Sequence, residues 1–491
     1  MSKRVLAFDF GASSGRAMLA EYDKENKKIN MTEIHRFPNL PVTQNGTMYW
    51  DVLRLLGEMK QGIILASKLG KIDAIGIDTW GVDFGMLDKD GSLLSNPVHY
   101  RDRRTEGMLE EVYEKVMPQD EIYGRTGTQS LRINTIYQLY YLYTYKSQLM
   151  KNVDKILLMP DLFAYFLTGE KRTEITEAST TNLLNPATLE WDMELVEKLG
   201  INKDIFAEFI RPGQIYGELS DEICRELECD KIPVVAVATH DTASAVVSAD
   251  TNENTAYISC GTWSLFGTEM PKPVITKESA EYCITNEIGY NGSVRFLKNI
   301  IGLWIVQQSK RHWEMSGEKL DYTILGNEAR ASQPFKSFID CDAPEFELGE
   351  NLPDKIAKYC ERTGQPVPET RGETVQCIYQ SLAMKYKSTI KMLEDVTGMN
   401  ITRINMVGGG IQDRSLCQNT ANATGCKVIA GPVEATVMGN IAVQLIALGE
   451  IKDLTEARQI IANSAEYAYY EPENTELWAK HYDEYLNILG K

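Results

Sequence analysis

One succession of strand, turn and strand occurs in both halves of this chain. Residues 7–18 form an apolar segment, a turn of glycine and hydroxyl residues and a second apolar segment, and residues 256–267 follow the same plan. In each copy a polar residue, Asp9 or Ser259, stands two positions before the first glycine of the turn. A repeat of this kind predicts two domains of one fold arranged in tandem.

The segments around the first copy predict the class of that fold. Apolar residues 5–10, 16–22 and 31–37 are separated by short polar turns, which predicts a β-meander. A helical pattern over residues 50–69 and a buried strand over residues 72–77 come next. Strand, helix and strand in this order are typical of an α/β domain.

The position of a further buried strand indicates where the two domains meet along the chain. Residues 233–238 are almost entirely apolar and give way to a helical pattern shortly afterwards. We therefore expect an N-terminal domain over residues 1–246 and a C-terminal domain over residues 247–491. The second domain also contains an apolar strand, residues 404–407, that runs into three glycines much as the first domain's strand runs into its own turn.

The charge of the chain excludes several classes of partner. It carries 51 basic and 69 acidic residues, for a net charge of −18, which repels nucleic-acid backbones and anionic membranes. A small anionic ligand must then be held locally, by backbone N–H groups, a helix N-terminus or a metal ion. Because Asp9 interrupts the first apolar run, the start of the chain is read as a strand and not as a signal peptide, and we expect a cytoplasmic protein.

The nine cysteines are odd in number and scattered, which indicates reduced thiols in a cytoplasmic protein. Cys224 and Cys229 have no second pair at the spacing of a zinc site. Cys360 and Cys377 flank a loop that contains proline, so a bridge between them remains an open alternative.

The first turn, Gly-Ala-Ser-Ser-Gly at residues 11–15, fits two kinds of site. It matches the nucleophile elbow of esterases, but an elbow needs a following helix, and here a strand follows. The same residues fit a phosphate loop, because glycines permit positive φ and close approach of the backbone to an anion, and Ser13 and Ser14 offer hydroxyls. A plain structural turn is the common alternative, and recurrence of the pattern at residues 261–264 favours the phosphate loop.

Two aspartates occupy positions typical of chemistry. Asp9 lies inside an apolar strand, where a carboxylate is costly unless it is paired, so we expect either a metal-linked role or backbone donors in the turn. Asp241 follows a buried strand, a common location for catalytic groups, and its alternative role is the N-cap of a helix over residues 242–248. The five histidines show no metal-ligand spacing, and no catalytic triad, Walker motif or dinucleotide fingerprint occurs.

Taken together, these motifs resemble the FGGY carbohydrate kinases, from about residue 4 to residue 450 and in the expected order. The segments that carry the resemblance are residues 9–16, 78–84, 100–104, 240–245, 259–264, 297–299, 408–410 and 431–440.

That resemblance implies an α/β fold of two tandem actin-like (RNase H-like) domains with the active site in the cleft between them. It implies ATP and Mg²⁺ as cofactors, Asp241 as the general base and Asp9 near Mg²⁺ through water. The residues implied to bind the sugar are Gly81, His240, Asp241, Thr242 and Asn299. The residues implied to contact ATP are Ala12, Ser13, Ser14, Gly15, Arg16, Thr262, Gln307 and Gly409.

Residues 78–84, Asp-Thr-Trp-Gly-Val-Asp-Phe, differ from those of glycerol and xylulose kinases, and the resemblance there implies phosphorylation of L-rhamnulose at O1. The requirements of the reaction agree, because phosphoryl transfer to a hydroxyl needs positioning, Mg²⁺, N–H donors and one carboxylate. A kinase for a related ketose, L-xylulose or L-fuculose, and an actin-like ATPase switch without a sugar site remain alternatives. Residues 333–375 contain no motif that bears on function.

Overall fold

Strands and helices alternate along most of the chain. The computed structural model describes residues 3–251, 254–315, 317–347 and 349–490. Its strands are β1 (Lys3–Phe10), β2 (Ser14–Asp23), β3 (Lys28–Pro38), β4 (Val42–Gln44), β5 (Thr47–Tyr49), β6 (Ala74–Thr79), β7 (Phe84–Leu87), β8 (Lys155–Leu158), β9 (Arg172–Glu174), β10 (Leu184–Asn185), β11 (Glu190–Trp191), β12 (Glu208–Ile210), β13 (Ile215–Glu218), β14 (Pro233–Val235), β15 (Thr255–Cys260), β16 (Trp263–Met270), β17 (Thr285–Ile288), β18 (Val294–Ile301), β19 (Arg403–Val407), β20 (Lys427–Ala430) and β21 (Ala468–Tyr470).

The helices vary in length from single turns to the long helix α15. They are α1 (Val52–Lys68), α2 (Met108–Lys115), α3 (Gln119–Thr126), α4 (Thr135–Tyr145), α5 (Ser147–Met150), α6 (Met159–Thr168), α7 (Ile175–Ala178), α8 (Met193–Lys198), α9 (Asp221–Leu227), α10 (Asp241–Val247), α11 (Lys277–Glu281), α12 (Trp304–Glu314), α13 (Tyr322–Ala331), α14 (Leu352–Arg362), α15 (Arg371–Thr397), α16 (Arg414–Thr424), α17 (Ala435–Ala447), α18 (Leu454–Ser464) and α19 (Thr475–Ile488). Within the described ranges, no helix is both long and apolar enough to cross a membrane.

The chain divides into two compact units, each assembled from three segments. Unit 1 takes the chain up to Ser248 together with Glu269–Phe296 and Ala435–Ser464, and unit 2 takes the remainder. The domain boundary between residues 246 and 247 stays a prediction. No sequence pattern indicated that two later segments join the first unit.

The sheet of unit 1 has the strand order β13-β14-β6-β1-β2-β3. Strands β1, β2 and β3 pair in antiparallel fashion, which confirms the predicted meander. Strands β14, β6 and β1 run parallel, and β6 begins two residues later than predicted and continues to Thr79. The parallel strands therefore end along one edge, the edge where ligands bind in open α/β sheets.

Helices cover both faces of this sheet. On α1, Gly62 lies against Phe8 of β1, while on α17 Asn440 and Gln444 lie against Gly76 of β6. Phe8 pairs in register with Ile77, one residue after Gly76, and successive strand residues point to opposite faces. Helices α1 and α17 thus pack on opposite faces, which places α17 in unit 1 although it comes late in the chain.

Unit 2 repeats the central arrangement of unit 1, as the internal repeat predicted. Strand β15 pairs with β16 in antiparallel fashion and with β19 in parallel fashion, just as β1 pairs with β2 and β6. Strand β20 continues the sheet parallel to β19, and β21 pairs with β20 in antiparallel fashion. Around the sheet, α15 contacts α13 and α16.

All nine cysteines of the chain are free thiols in this structure. Cys360 on α14 and Cys377 on α15 lie side by side and share a hydrogen bond between their thiols. Cys224 and Cys229 also lie next to each other, and the described residues contain no group of three ligands suited to zinc.

A substitution at the crossing of α10 and α17 tests the packing of unit 1. A Cβ at Gly439 would overlap the carbonyl oxygen of Ser244, so Gly439→Ala must force the helices apart. We expect this change to lower the free energy of unfolding by about 1–3 kcal/mol in urea denaturation.

Gly57→Ala is the matched control, because Gly57 lies on an exposed face of α1 where a Cβ meets no atom within 4 Å. It should leave stability unchanged or raise it by up to about 1 kcal/mol, since alanine favours helix more than glycine does. Equal stability of Gly439→Ala and the wild type would contradict the close crossing.

Candidate active site

Three acidic side chains gather at the carboxyl edge of the unit 1 sheet. Asp9, near the end of β1, pairs in register with Asp78 of β6. The next residue of β6, Thr79, forms a parallel bridge with His240, and Asp241 follows directly. The strand order therefore brings together residues that stand far apart in the sequence.

Asp9 is held by a side chain and not by the turn backbone. Arg16 on β2 donates from Nε and Nη2 to Oδ2 of Asp9, at 2.9 and 2.8 Å. Both side chains are largely buried, so the pair is only partly screened by water. The alternative in which backbone donors satisfy Asp9 is wrong, and the pairing sets a cation at the end of the predicted phosphate loop.

The first turn has the shape of a tight hairpin loop. Its first residue, Gly11, donates from its backbone N–H to the carbonyl of Ser14 at 2.9 Å, and Ser13 is exposed. Neither Gly11 nor Gly15 adopts the positive φ that glycine permits. Gly15 is required for close approach instead, since a Cβ there would overlap the ring of Phe37 on β3.

Burial and the nearby negative charge of Asp9 raise the pKa values of Asp78 and Asp241. Asp78 is completely buried, and desolvation together with the negative charge of Asp9 keeps its pKa well above the ordinary value. Asn440 on α17 donates to Oδ2 of Asp78 at 2.6 Å and partly offsets this effect. Desolvation also raises the pKa of Asp241, while the adjacent His240 opposes that shift.

The N-cap of α10 lies one residue before Asp241, the residue for which the capping role was the alternative. His240 occupies the N-cap of α10, and Asp241 is the first residue of the helix. Oδ1 of Asp241 accepts from the Oγ1 of Thr242 at 3.1 Å, and the carboxylate keeps 32% of its surface exposed. The N-cap role for Asp241 is therefore wrong, and its carboxylate faces open space.

The fully buried carboxylate of Glu174 holds the turn before His240 through hydrogen bonds. Glu174 accepts from the backbone N–H and Oγ1 of Thr239, at 3.2 and 2.7 Å, and from the backbone N–H of Thr176. Desolvation raises the pKa of Glu174, and these donors counter the shift. Thr239, the residue before His240, is thus held in place by two hydrogen bonds to Glu174.

The turn after β6 is strained and strongly supported. Val82 adopts a φ of +69°, which a β-branched residue rarely does. Its N–H donates to Oγ1 of Thr180 at 3.0 Å, and its carbonyl accepts from Oγ1 of Thr135 at 2.6 Å. Gly81 lies directly against Thr180, so the predicted sugar-binding glycine sits on a rigid turn. Strain of this kind is typical of functional sites.

Asp83 anchors that turn in the core. Its carboxylate accepts from Nε1 of Trp50 at 2.6 Å, from Nε1 of Trp80 at 3.1 Å, from the N–H of Tyr100 at 3.1 Å and from Nε2 of Gln138 at 3.1 Å. Desolvation raises the pKa of Asp83 to about 6 in spite of these donors. The interactions of Asp83 are thus entirely internal.

His240 has two further partners from a distant segment. Nη2 of Arg295 lies 3.0 Å from Nδ1 of His240 and 3.0 Å from Oε2 of Glu287. Both Arg295 and Glu287 are buried. On its other side, Nε2 of His240 lies 3.5 Å from Oδ1 of Asp241.

Unit 2 contains a separate cavity at the edge of its own sheet. Its volume is about 1190 Å³, and its lining includes Gly261, Gln307, Tyr322, Gly409 and Asp413. Thr262 donates from Oγ1 to Oε1 of Gln307 at 3.2 Å. Of the residues predicted to contact ATP, this unit therefore brings Thr262, Gln307 and Gly409 together.

The glycine turn after β19 shapes this cavity. A Cβ at Gly409 would meet no atom within 4 Å, whereas one at Gly410 would overlap Cys260. Gly408, at a φ of +87°, turns the chain tightly against the same cysteine. Asn299 also belongs to unit 2, on β18, and is not among the described residues that line the cavity.

The acids of unit 1 suit a magnesium ion only with help from other ligands. Within the described ranges, no three potential ligands form a cluster that would hold a metal. Mg²⁺ commonly binds through one or two carboxylates, with water and phosphate oxygens completing an octahedron. Asp9 offers a carboxylate of the right chemistry at the sheet edge, so the residues fit an ion carried mainly by a nucleotide.

Comparison with known families decides the class of this protein. Residues 4–248 match the N-terminal domain of the FGGY family of carbohydrate kinases, and residues 256–448 match its C-terminal domain. The chain is an FGGY carbohydrate kinase.

Similar FGGY kinases cover nearly its whole length. A rhamnulokinase of Bacteroides thetaiotaomicron is 39% identical over all of both chains. A rhamnulokinase of Halalkalibacterium halodurans is 41% identical over 95% of this chain and 98% of its own. A third, from Bacillus subtilis, is 41% identical over 95% of each chain.

Solved structures confirm the predicted fold of two actin-like α/β domains. A ligand-bound xylulose kinase from Lactobacillus acidophilus matches with a TM-score of 0.81 at 17% identity, over 99% of this chain and 98% of its own. Plasmodium falciparum glycerol kinase with ADP matches with a TM-score of 0.78 at 16% identity, over 100% and 98% of the two chains.

Several contacts of this FGGY kinase's candidate site were missed by sequence reasoning. Arg295 stands inside an apolar strand, the same signal that singled out Asp9, and that signal was available. Glu174 and Asn440 gave no comparable sign, because their roles depend on which segments the fold brings together. Thr180, which supports Val82, is equally unmarked in the sequence.

The raised pKa of Asp83 predicts a specific pH dependence of stability. The folded state binds the Asp83 proton more tightly than the unfolded chain does, so stability is highest below pH 4 for this group and falls as pH rises to about 6. The shift of about two pKa units corresponds to about 3 kcal/mol. We expect the wild type to lose about that much stability relative to Asp83→Asn between pH 4 and pH 7 in urea denaturation.

Asp221→Asn provides the control. The exposed carboxylate of Asp221 pairs with Lys231, which lowers its pKa, so its titration lies below this window. A difference between wild type and Asp83→Asn that stays constant with pH would contradict the proposed titration.

Proposed function

We propose that this FGGY kinase transfers the γ-phosphoryl group of ATP to O1 of L-rhamnulose. The observation that carries the proposal is the placement of Asp241, a half-buried carboxylate at the carboxyl edge of the unit 1 sheet that does not cap its helix. The full-length similarity to proteins named rhamnulokinase supports the choice of sugar.

Asp241 has the properties that a general base for a sugar hydroxyl requires. Desolvation raises its pKa above the ordinary value, which strengthens it as a proton acceptor. It occupies the first position of α10, where the helix dipole favours its negative charge. Its open side is available to a substrate.

In the proposed step, Asp241 accepts the proton of the O1 hydroxyl as O1 attacks the γ-phosphorus. The new O1–P bond forms while the bond from the γ-phosphorus to the bridging oxygen breaks, and ADP leaves with that oxygen and its electron pair. Little else is needed from the protein, because such transition states respond mainly to positioning and electrostatic stabilisation.

The ketose is proposed to lie against rigid parts of unit 1. Gly81 stands next to the strained turn at Val82, and His240 and Thr242 flank the base. Val82 and His240 are held by hydrogen bonds to buried partners, which suits recognition of one arrangement of hydroxyls. Asn299 of unit 2 is proposed as a further sugar ligand on the resemblance alone.

ATP is proposed to use both predicted turns. In unit 1 the segment Ala12, Ser13, Ser14, Gly15 and Arg16 offers N–H groups, hydroxyls and one guanidinium. In unit 2 the cavity beside Gln307 and Gly409 has room for a nucleoside, and the open side of Gly409 allows a ligand to approach the backbone. Thr262 is proposed to contribute its hydroxyl at the same place.

Mg²⁺ is proposed to accompany ATP, with Asp9 near it through water. When bound, the ion would neutralise phosphate charge and orient the transferred group. Arg16 holds the carboxylate of Asp9 in a fixed position for this purpose. We also infer that the protein acts in the cytoplasm. The net charge of −18 supports an absence of nucleic-acid and anionic membrane partners.

A panel of acceptors tests the proposed function. With Mg²⁺ and ATP, we expect the highest kcat/KM for L-rhamnulose, with lower values for L-xylulose, L-fuculose and glycerol. A better kcat/KM for another ketose would overturn the choice of sugar and leave the kinase. ATP hydrolysis that does not depend on any sugar would favour the ATPase switch instead.

Asp241→Asn tests the proposed base. The amide keeps the shape of the side chain but does not accept the hydroxyl proton, and general-base catalysis is worth about 10²–10⁴-fold. We expect kcat to fall by about that factor in steady-state assays, with the melting temperature nearly unchanged.

Asp192→Asn is the matched control for Asp241→Asn. Asp192 is another buried aspartate of unit 1, but it caps α8 by accepting from the N–H of Leu195, a task that asparagine also performs. Its kcat should stay at the wild-type value. A folded Asp241→Asn protein that keeps more than about a tenth of wild-type kcat would show that the proton goes elsewhere.

A further inference from the structure

Arg295 makes a contact that no step of the proposed reaction uses. Its side chain is completely buried, and Nη2 lies 3.0 Å from Nδ1 of His240 in hydrogen-bonding geometry. Nε donates to the carbonyl of Ile288 at 3.2 Å, which fixes the plane of the guanidinium. Oε2 of Glu287 lies 3.0 Å from the same Nη2 and balances the buried charge.

The chemistry of the guanidinium decides where the imidazole carries its proton. Arginine has only N–H donors and keeps its charge in proteins. The nitrogen that faces it must therefore offer a lone pair, because a hydrogen on Nδ1 of His240 would point at a hydrogen of Arg295 across 3.0 Å.

One competing arrangement is present in the same cluster. Oε2 of Glu287 lies 3.5 Å from Nδ1 of His240, so a proton on Nδ1 could be directed at Glu287. That separation exceeds the usual hydrogen-bond length, whereas the separation between Arg295 and His240 falls within it. The distances thus favour the arginine as the partner of Nδ1.

We propose that Arg295 is a positioning residue that fixes His240 as the neutral tautomer with its hydrogen on Nε2. Glu287 supports this role by holding the charge of Arg295 inside the protein. The hydrogen bond on one ring nitrogen sets the role of the other, a rule that applies to histidines in general.

This tautomer assigns different roles to His240 and Asp241. Nε2 lies on the side of Asp241, 3.5 Å from its Oδ1, and carries a hydrogen that it offers to a ketose oxygen. With Nδ1 occupied by Arg295 and Nε2 already protonated, His240 does not accept the O1 proton. Asp241 is left as the base, and His240 donates its Nε2 hydrogen to an oxygen of the sugar. This division of roles rests on the proposed function, whereas the tautomer does not.

The ¹⁵N spectrum of the histidines tests the tautomer directly. Two-bond ¹H–¹⁵N correlation on uniformly labelled wild-type protein distinguishes a protonated ring nitrogen from an unprotonated one, and His240→Gln identifies the His240 signals by their loss. We expect an unprotonated Nδ1 and a protonated Nε2. A protonated Nδ1, alone or together with Nε2, would overturn the proposal.

A pair of double variants tests the role of Arg295. Arg295→Met with Glu287→Leu removes the ion pair while keeping the volume apolar, which avoids leaving one charge buried alone. We expect the His240 signals to move toward a mixture of tautomers and kcat/KM for the ketose to fall by at least about tenfold. The KM for ATP should stay the same.

The matched control is Arg458→Met with Glu269→Leu. Arg458 pairs with Glu269 at 2.7 Å in the same unit and binds the carbonyls of Val246 and Val247 at the far end of α10. It should leave the His240 signals and kcat/KM as in the wild type.

The outcomes separate the tautomer from the proposed function. An unchanged His240 signal in the Arg295 double variant would overturn the proposal, and if that variant does not fold, the wild-type spectrum decides alone. Failure of L-rhamnulose as a substrate, with Nδ1 unprotonated, would remove the proposed function and leave the role of Arg295 intact.

Discussion

Carboxylates assembled at one sheet edge, partly out of water, are the constraint on which unit 1 depends. Each needs compensation, because an isolated buried charge is costly. Asp9 has the guanidinium of Arg16, and Asp78 has the amide of Asn440 together with a raised pKa. Asp241 accepts a hydrogen bond from Oγ1 of Thr242 and keeps its own access to the surface. Asp241, whose charge is the least compensated of the three, is therefore the carboxylate that is accessible for reaction.

Buried polar groups around this edge form hydrogen bonds that hold the protein's own turns in place, and they do not face a ligand. Glu174 fixes the turn before His240, and Asp83 fixes the turn after β6. Both have pKa values raised by desolvation, so their burial costs stability at neutral pH. Such groups are kept where the position of a loop matters more than the stability of the fold.

The sequence was most informative where local pattern and topology agree. Apolar alternation and glycine turns predicted the meander and the internal repeat, and the parallel strands then necessarily brought Asp9 near Asp241. Details of a single turn were less predictable: His240 and not Asp241 is the N-cap, and Gly15 serves packing and not positive φ. Contacts between distant segments, such as those of Glu174 with Thr239 and of Asn440 with Asp78, depend on tertiary structure that no local pattern encodes.

The central claim is that Asp241 and its neighbours direct phosphoryl transfer to O1 of a ketose. The most direct test uses L-rhamnulose labelled with ¹³C at C1, incubated with the protein, ATP and Mg²⁺, and followed by ¹³C and ³¹P NMR. We expect the C1 signal to become split by phosphorus as ATP is consumed, with one phosphorylated product for each ADP formed. A phosphorylated product whose C1 signal is not split, or release of inorganic phosphate with C1 unchanged, would contradict this assignment.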